Sequence, residues 1–280
     1  MTDMDRYAVI GNPVAHSKSP QIHQWFAAAS GQRIDYQRRL APLDGFAVNV
    51  RDFIAAGGRG ANVTVPFKLQ AAELATRVSV RAAIAGAVNT LTFDGAEILG
   101  DNTDGVGLVA DIVGNAGVTL RGRRVLLLGA GGAARGVLQP LLEQKPAWLQ
   151  IANRSQPRAD ALVRHFGART GLGASDFASL APPFDVIINA TSASLQGQAL
   201  ALPSTVFDGA ALAYDMMYGV RPSAFLRAAA AHGVPTRDGL GMLVEQAAEA
   251  FLIWRGVRPA TADVYRRLRA ELAASAAPQA

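Results

Sequence analysis

The sequence predicts an α/β chain in two domains, and three observations carry that expectation. A short apolar run, Val125–Leu128, breaks into Gly129, Gly131 and Gly132 and re-enters as an alanine-rich helix. From there to residue 237, apolar strands alternate with helical stretches, as parallel strands joined by helical crossovers require. An earlier alternation, over the first hundred residues, ends its strands in polar clusters. At 280 residues the chain is long enough for two medium domains, each burying its own core.

The elements of the first domain follow in order. Tyr7–Ile10 is a buried strand ending in the turn Gly11-Asn12-Pro13. Ser19 is placed as an N-cap and Pro20 at the first helical position of a helix through Ala29. Ala61–Val65 forms a strand stopped by Pro66, with a helix from about Phe67. Val88–Phe93 and Glu97–Leu99 flank Asp94-Gly95, a hairpin signal. The polar run Asp101-Asn102-Thr103-Asp104 with Gly105 then launches a helix toward Gly114.

In the second domain the expected strands are Val125–Leu128, Leu149–Ala152, Val186–Asn189, Ala211–Asp215 and Val234–Arg237. Helices fall at Ala133–Glu143, Arg158–His165 and Ser223–Ala231. Two further helices run from about Gly241 to Trp254 and from Ala262 to Leu272. Residues 168–183 carry no clear pattern, and the tail from Ala273 lacks periodicity.

The glycine turn is read as a phosphate cradle. Gly129 allows the tight turn, Gly131 lets the backbone approach a pyrophosphate, and the helix N-terminus offers N–H donors. Ala134 stands at the third small position, where helix and strand pack closely. Trp148–Ala152 ends in Asn153-Arg154-Ser155, with Arg158 beyond. An NAD-dependent enzyme usually has a carboxylate there for the ribose 2′-hydroxyl; two guanidinium forks suit a 2′-phosphate instead. The expectation is a Rossmann-type, doubly wound NADP-binding domain.

Composition narrows the alternatives. Half the residues are hydrophobic and 18% are charged, a globular balance. Without cysteine there are no disulfides, no thiolate catalysis and no cysteine-ligated metal. The acidic start, Asp3 and Asp5, has no apolar signal segment behind it, and no apolar run approaches the ~18–20 residues that span a bilayer. A cytoplasmic protein without a membrane role is expected. The net charge of +5 is scattered, no basic run exceeds Arg121–Arg124, and aromatics do not alternate with it. Sites for small anions explain the charge better than a nucleic-acid partner.

Chemistry has to come from the polar residues of the first domain. Asn62 and Thr64, two apart, face one side of their strand. Lys68 follows in the first turn of a helix, where a cation opposes the helix dipole by some tenths of a kcal/mol. A cation placed there beside Asn62 and Thr64 suggests a positioned ligand group or catalyst, while a solvent-facing lysine explains the spacing equally well. Asp104 reads locally as an N-cap. Asp101 and Asp104 alone make a poor closed metal site, so no metal is expected. His16 and His23 are assigned to loop and helix packing, and Ser17 and Ser19 to hydroxyl donors for an anion.

Together these pieces resemble the shikimate dehydrogenase family. The resemblance is carried by the run Gly11–His23, by Ala61–Lys68, by Gly86–Thr90 and by Gly100–Gly105. It continues through Gly129–Arg135, Asn153–Ser155, Asn189–Ser192, Asp215–Tyr218 and Asp238–Gln246. It implies reversible NADPH-dependent reduction of 3-dehydroshikimate to shikimate, in aromatic amino acid biosynthesis. Lys68 and Asp104 would be the catalytic pair. Ser17 and Ser19 would hold the substrate carboxylate, Asn62, Thr64, Asn89 and Gln246 the ring hydroxyls, with Tyr218 lining the pocket. Gly129, Ala130, Gly131, Gly132 and Ala133 would cradle the pyrophosphate, with Asn153, Arg154, Ser155 and Arg158 around the 2′-phosphate. Thr191, Met216 and Gly239 would complete the cofactor site, the last two near the nicotinamide.

The resemblance also implies a substrate domain over 1–104 completed by 241–280, and an NADP domain over 105–240, in a monomer or homodimer. The loop Ala193-Ser194-Leu195 departs from the family pattern, which often has glycine second. Ser155 replaces a common threonine, and Arg59 a frequent lysine. Two alternatives stay open: a quinate/shikimate dehydrogenase tolerant of NAD, and a non-catalytic NADP-binding sensor.

Overall fold

The computed structural model describes residues 4–167, 171–193 and 198–276. The chain divides into two compact units, Met1–Gly107 with Val244–Val264, and Leu108–Leu243 with Tyr265–Ala280.

The first unit is built on a six-stranded mixed sheet. Its elements are β1 (Asp5–Gly11), α1 (Ser19–Ser30), β2 (Ile34–Leu40), α2 (Phe46–Ala55), β3 (Gly58–Val63), α3 (Lys68–Leu74), β4 (Arg77–Val78), α4 (Val80–Ala85), β5 (Thr90–Asp94) and β6 (Glu97–Asp101). The strand order is β2-β1-β3-β5-β6-β4, with β3, β5 and β6 antiparallel in succession. Strand alternation sorts side chains to two faces. Ala8, Ile10, Ala61 and Val63 point to one face and pack with Phe46, Val50 and Phe53 of α2, and with Phe67 and Ala71. Tyr7, Val9 and Tyr36 take the other, against Val14 and Trp254.

The second unit has an all-parallel sheet in the order β12-β11-β10-β7-β8-β9. Its strands are β7 (Arg124–Leu128), β8 (Trp148–Ala152), β9 (Leu172–Ser175), β10 (Val186–Asn189), β11 (Leu212–Asp215) and β12 (Thr236–Asp238). The chain enters at β7, winds outward to β9, then crosses back to β10 and winds the other way. The strand order therefore reverses between β7 and β10, the crevice where doubly wound sheets bind ligands. Helices α6 (Gly132–Glu143), α7 (Gln156–Phe166) and α8 (Ala224–Ala231) accompany the strands. Helix α5 (Asp104–Val109) precedes them and passes into a π-helical turn, Ala110–Asn115; α9 (Leu240–Arg255) and α10 (Ala262–Ala276) follow.

Several local expectations need correction. Ser19 does not cap α1: Lys18 holds that position, and the Ser19 N–H donates instead to Ser17 Oγ at 3.3 Å. Strand β3 ends at Val63, so Thr64 lies just beyond it, with its N–H still donating to Ile10 at 2.9 Å. The hairpin turn falls at Gly95-Ala96, because Asp94 pairs with Glu97. The domain bounds that the resemblance implies, 1–104 with 241–280 and 105–240, stay an expectation; helix α10 makes contacts within the second unit. Arg269 of α10 binds both carboxylate oxygens of Asp238, and the Arg237 guanidinium lies 5.5 Å over the Tyr265 ring. Strands β2, β4 and β9 and helices α2 and α4 carry no sequence expectation. Ser194 and Leu195 of the departing loop lie outside the described residues, as do 277–280 of the tail.

Candidate active site

Three polar segments of the first unit meet at the ends of β3, β5 and β6. Lys68 is the first residue of α3, and its carbonyl accepts the Val88 N–H at 2.9 Å, which ties the helix start to the strand leading into Asn89. Asn89 is held by backbone on both sides: its N–H donates to Asp101 and its carbonyl accepts from Val63. Asp104 stands at the head of α5, shortly after β6.

Lys68 and Asp104 converge although 36 positions separate them. Nζ donates to Asp104 Oδ2 at 2.5 Å, and Asn89 Nδ2 donates to Oδ1 at 2.8 Å. Both carboxylate oxygens are thus engaged away from the helix, so the local reading of Asp104 as an N-cap does not hold. Asn102 Oδ1 accepts the Asp104 N–H instead, at 3.1 Å. The Asp104 side chain is 6% exposed and that of Lys68 21%. Among the described residues Asp104 is the side-chain partner of Lys68, leaving two N–H donors of the ammonium open to a ligand. A buried pair of this kind is held for its geometry, since desolvation offsets much of its attraction.

Around the pair runs a continuous amide and hydroxyl network. Asn89 Oδ1 accepts from the Thr103 N–H (2.8 Å) and from Thr90 Oγ1 (2.9 Å), while Nδ2 also reaches Gln246 Oε1 at 3.2 Å. Asn62 Nδ2 donates to the Asn89 carbonyl and to Thr90 Oγ1, and Tyr36 donates to Asn62 Oδ1 at 2.7 Å. Ser17 and Ser19 hydroxyls stand 3.2 Å apart at the head of α1. Lys68, Asp104, Asn89, Gln246 and Asn62 therefore form one connected set with Asn89 at its centre. Thr64 makes no side-chain hydrogen bond to this network among the described residues and is half-buried.

Asp101, weighed above beside Asp104, is committed elsewhere. The Arg81 guanidinium grips both of its oxygens (2.6 and 2.9 Å) and Ser79 donates at 2.6 Å. Burial pushes its pKa up, but Arg81 and Ser79 outweigh that and hold it below the usual range. His16 is exposed and His23 is fully buried among aromatic rings. Sequence reasoning missed Tyr36, Thr90 and Thr103. Thr103 lies inside the polar run 101–104 and was findable there; Tyr36 lies on a strand whose arginines hide its period.

In the second unit, the ends of β7 and β10 form a compact turn. Gly129 has φ +107°, and a Cβ there would stand 3.2 Å from the Ala190 backbone and Thr191. Around Gly131 and Gly132, by contrast, a Cβ would meet nothing within 4 Å, so open space lies over the N-terminus of α6. Ala130 and Ala133 flank that space half-buried, and Ala134 packs inward. Arg154 and Arg158 are exposed beyond β8 and form no ion pair among the described residues. Asn153 braces the same turn by donating to the Ser155 carbonyl at 3.0 Å. An open helix N-terminus and two free guanidinium groups fit a dinucleotide with an extra phosphate.

Buried polar groups brace the neighbouring strand ends. Asn189 Oδ1 accepts from Thr191 Oγ1 at 2.7 Å, while its amide donates to Asp215 at 3.2 Å. The Met216 N–H donates to the Asn189 carbonyl at 2.9 Å. Gly239 passes so close to Met216 that a Cβ would stand 2.1 Å from its carbonyl oxygen. Tyr218 is half-buried and belongs to this second unit, as do all the cofactor candidates.

Comparison with known proteins matches three segments of the chain. Residues 9–91 match the shikimate dehydrogenase substrate binding domain, 109–197 the shikimate / quinate 5-dehydrogenase model, and 239–269 the shikimate 5′-dehydrogenase C-terminal domain. The chain is 60% identical over 271 residues to the shikimate dehydrogenase (NADP(+)) of Herminiimonas arsenicoxydans, covering 97% of this chain and 99% of the relative. It is 59% identical over 97% of its length to that of Janthinobacterium sp. (strain Marseille), of which 99% is covered. Among solved structures it is similar to an Ael1 enzyme from Pseudomonas putida, at 50% identity and a TM-score of 0.90 over 94% of this chain and 98% of that one. It is also similar to shikimate 5-dehydrogenase (AroE) from Thermus thermophilus, in complex with NADP(H) and shikimate. There the identity is 34% and the TM-score 0.85, over 95% and 99% of the two chains. With its three family segments in order and relatives this similar over nearly all its length, the chain belongs to the shikimate dehydrogenase family.

Proposed function

We propose that this chain catalyses the NADP-dependent interconversion of 3-dehydroshikimate and shikimate, with Lys68 and Asp104 at the reacting oxygen. The observation that carries the assignment is the 2.5 Å contact between Lys68 Nζ and Asp104, with two ammonium donors left open. NADPH, when bound, supplies the hydride to the carbonyl carbon. Lys68 stabilises the negative charge that grows on the oxygen and donates the proton that completes the alcohol; in reverse, its neutral amine accepts that proton. Asp104 holds the ammonium in place and accepts from a substrate hydroxyl, its own orientation set by Asn89.

Ser17 and Ser19 hold the substrate carboxylate, and Asn62, Thr64, Asn89 and Gln246 bind ring hydroxyls, with Tyr218 at the pocket wall. Gly129–Ala133 bind the pyrophosphate through backbone N–H groups, and Asn153, Arg154, Ser155 and Arg158 take the 2′-phosphate. Thr191, Met216 and Gly239 complete the cofactor site. The first unit thus serves as the substrate domain and the second as the NADP domain, acting on soluble metabolites in the cytoplasm. Among the described residues no helix is long and apolar enough to cross a membrane.

Steady-state kinetics with shikimate and NADP, followed at the reduced-nicotinamide absorbance band, test the assignment. Lys68→Ala should lower kcat by ~10²–10⁴-fold with little change in KM, as removal of a transition-state interaction does. A variant that turns over at the wild-type rate would take Lys68 out of the chemistry. Running quinate and NAD beside shikimate and NADP reads substrate and coenzyme preference in the same experiment.

A further inference from the structure

Tyr36 occupies a position that no motif marks. In the sheet, β1 runs between β2 and β3, with Tyr7 opposite Tyr36 and Val9 opposite Asn62. These four residues share one face, so the Tyr36 ring spans β1 to bring its hydroxyl 2.7 Å from Asn62 Oδ1, to which it donates. Ser19, at the head of α1, takes a bond from Ser17 Oγ at 3.2 Å. The phenol thus reaches from β2 across β1 to the asparagine at the end of β3.

A primary amide fits its cavity in two orientations related by a half-turn, which exchange donor and acceptor. A donor at Oδ1 and a carbonyl at Nδ2 together select between them. Tyr36 is that donor: it is fully buried, and burial keeps its hydroxyl protonated by raising its pKa well above the ordinary phenol value. With Oδ1 turned to Tyr36, Asn62 Nδ2 faces the Asn89 carbonyl and Thr90 Oγ1. The ring itself is held flat against His23, centroids 4.3 Å apart and planes 7° from parallel. His23 has no hydrogen-bond partner for either ring nitrogen among the described residues, so its contribution to Tyr36 is that flat face.

We propose that Tyr36 is a positioning residue for the substrate, holding the amide of Asn62 by its Oδ1. This rests on the assignment of Asn62 as a substrate contact. Tyr36→Phe keeps the ring and its stacking but removes the donor to Oδ1, so the Asn62 amide loses that bond, keeps the two at Nδ2 and is held less firmly.

The test is a kinetic cycle with Tyr36→Phe, Asn62→Ala and the double variant, each also melted. Tyr36→Phe should raise KM for shikimate about 5–20-fold, leave kcat within about two-fold and leave KM for NADP unchanged. Asn62→Ala should raise KM for shikimate as well, and adding Tyr36→Phe to it should raise KM no further, because the coupling has already gone. Should Asn62→Ala leave KM unmoved, the substrate assignment fails and the positioning with it. Should Asn62→Ala act while Tyr36→Phe is silent, or should the two effects multiply, only the positioning is overturned. A purely structural tyrosine would lower the melting temperature and leave both KM values alone. If Tyr36→Phe does not fold, a second pair decides. His23→Phe keeps the stacked face and should hold KM within about two-fold, whereas His23→Leu releases the ring and should raise it about three-fold or more. Equal KM values for those two variants would overturn the proposal.

Discussion

The His23 imidazole is fully buried among Phe26, Tyr36, Phe251 and Trp254, and burial lowers its pKa from 6.5 to about 3, against a smaller opposing effect of Asn62. A folded pKa below the unfolded one means that the unfolded chain takes up the proton first. Stability from this residue is therefore complete above about pH 6.5 and drains away as pH falls toward 3. Between about pH 7 and about pH 5 the loss amounts to about 2 kcal/mol, on the order set by one proton bound in the unfolded state alone. His23→Phe has nothing to protonate, so urea unfolding at the two pH values should show a loss smaller by that amount. Equal losses in variant and wild type would mean that water reaches the imidazole. Lys68 and Asp104 each stand out locally in the sequence, yet no local signal says that they meet. A lysine in a first helical turn and an aspartate before a glycine have ordinary local explanations, and only folding brings them to 2.5 Å.

Among elements, the π-helical turn Ala110–Asn115 departs furthest from the regular helix expected toward Gly114. Asp111 lies fully buried within it, where Arg237 of β12 grips both of its oxygens (2.6 and 2.8 Å). The Tyr214 hydroxyl and the Asn115 amide complete its shell at 2.8 and 3.0 Å. Burial and the Asp111 charge both push the Tyr214 pKa up, keeping the phenol a neutral donor. The start of α9 lies against this carboxylate at Gly241, where a Cβ would stand 1.9 Å from Asp111 Oδ1. Gly241→Ala should consequently displace a buried, paired charge and lower stability by about 3 kcal/mol or more. Thermal unfolding measures it, and a melting temperature like that of the wild type would show that the helix start shifts freely. Strand β2 illustrates the opposite failing: its burial alternates poorly, and Gln37, Arg38 and Arg39 break the apolar pattern because this strand lies at a sheet edge.

For the molecule as a whole, the proposed substrate residues lie in the first unit, apart from Tyr218, and the proposed cofactor residues in the second. That division predicts separable defects. Arg154→Ala should weaken NADP binding about ten-fold or more, narrow the gap to NAD and leave shikimate binding alone, since it removes one guanidinium fork of the proposed phosphate site. Asn62→Ala should do the reverse. Titration of each variant with nucleotide and with shikimate decides, and a defect of Arg154→Ala confined to shikimate would remove it from the phosphate site.

The class of fold, the use of NADP and the family are all legible in the linear chain. Those depend on short-range patterns: strand-and-helix alternation, glycines at fixed offsets, and arginines following a strand. The strand order with its reversal between β7 and β10, the meeting of Lys68 with Asp104, and the reach of Tyr36 across β1 to Asn62 emerge only in three dimensions. So do the π-turn around Asp111 and the grouping of α10 with Asp238. Each of these joins residues that are distant along the chain. Such contacts depend on how sheets and helices pack, which the residues on either side of a position do not encode.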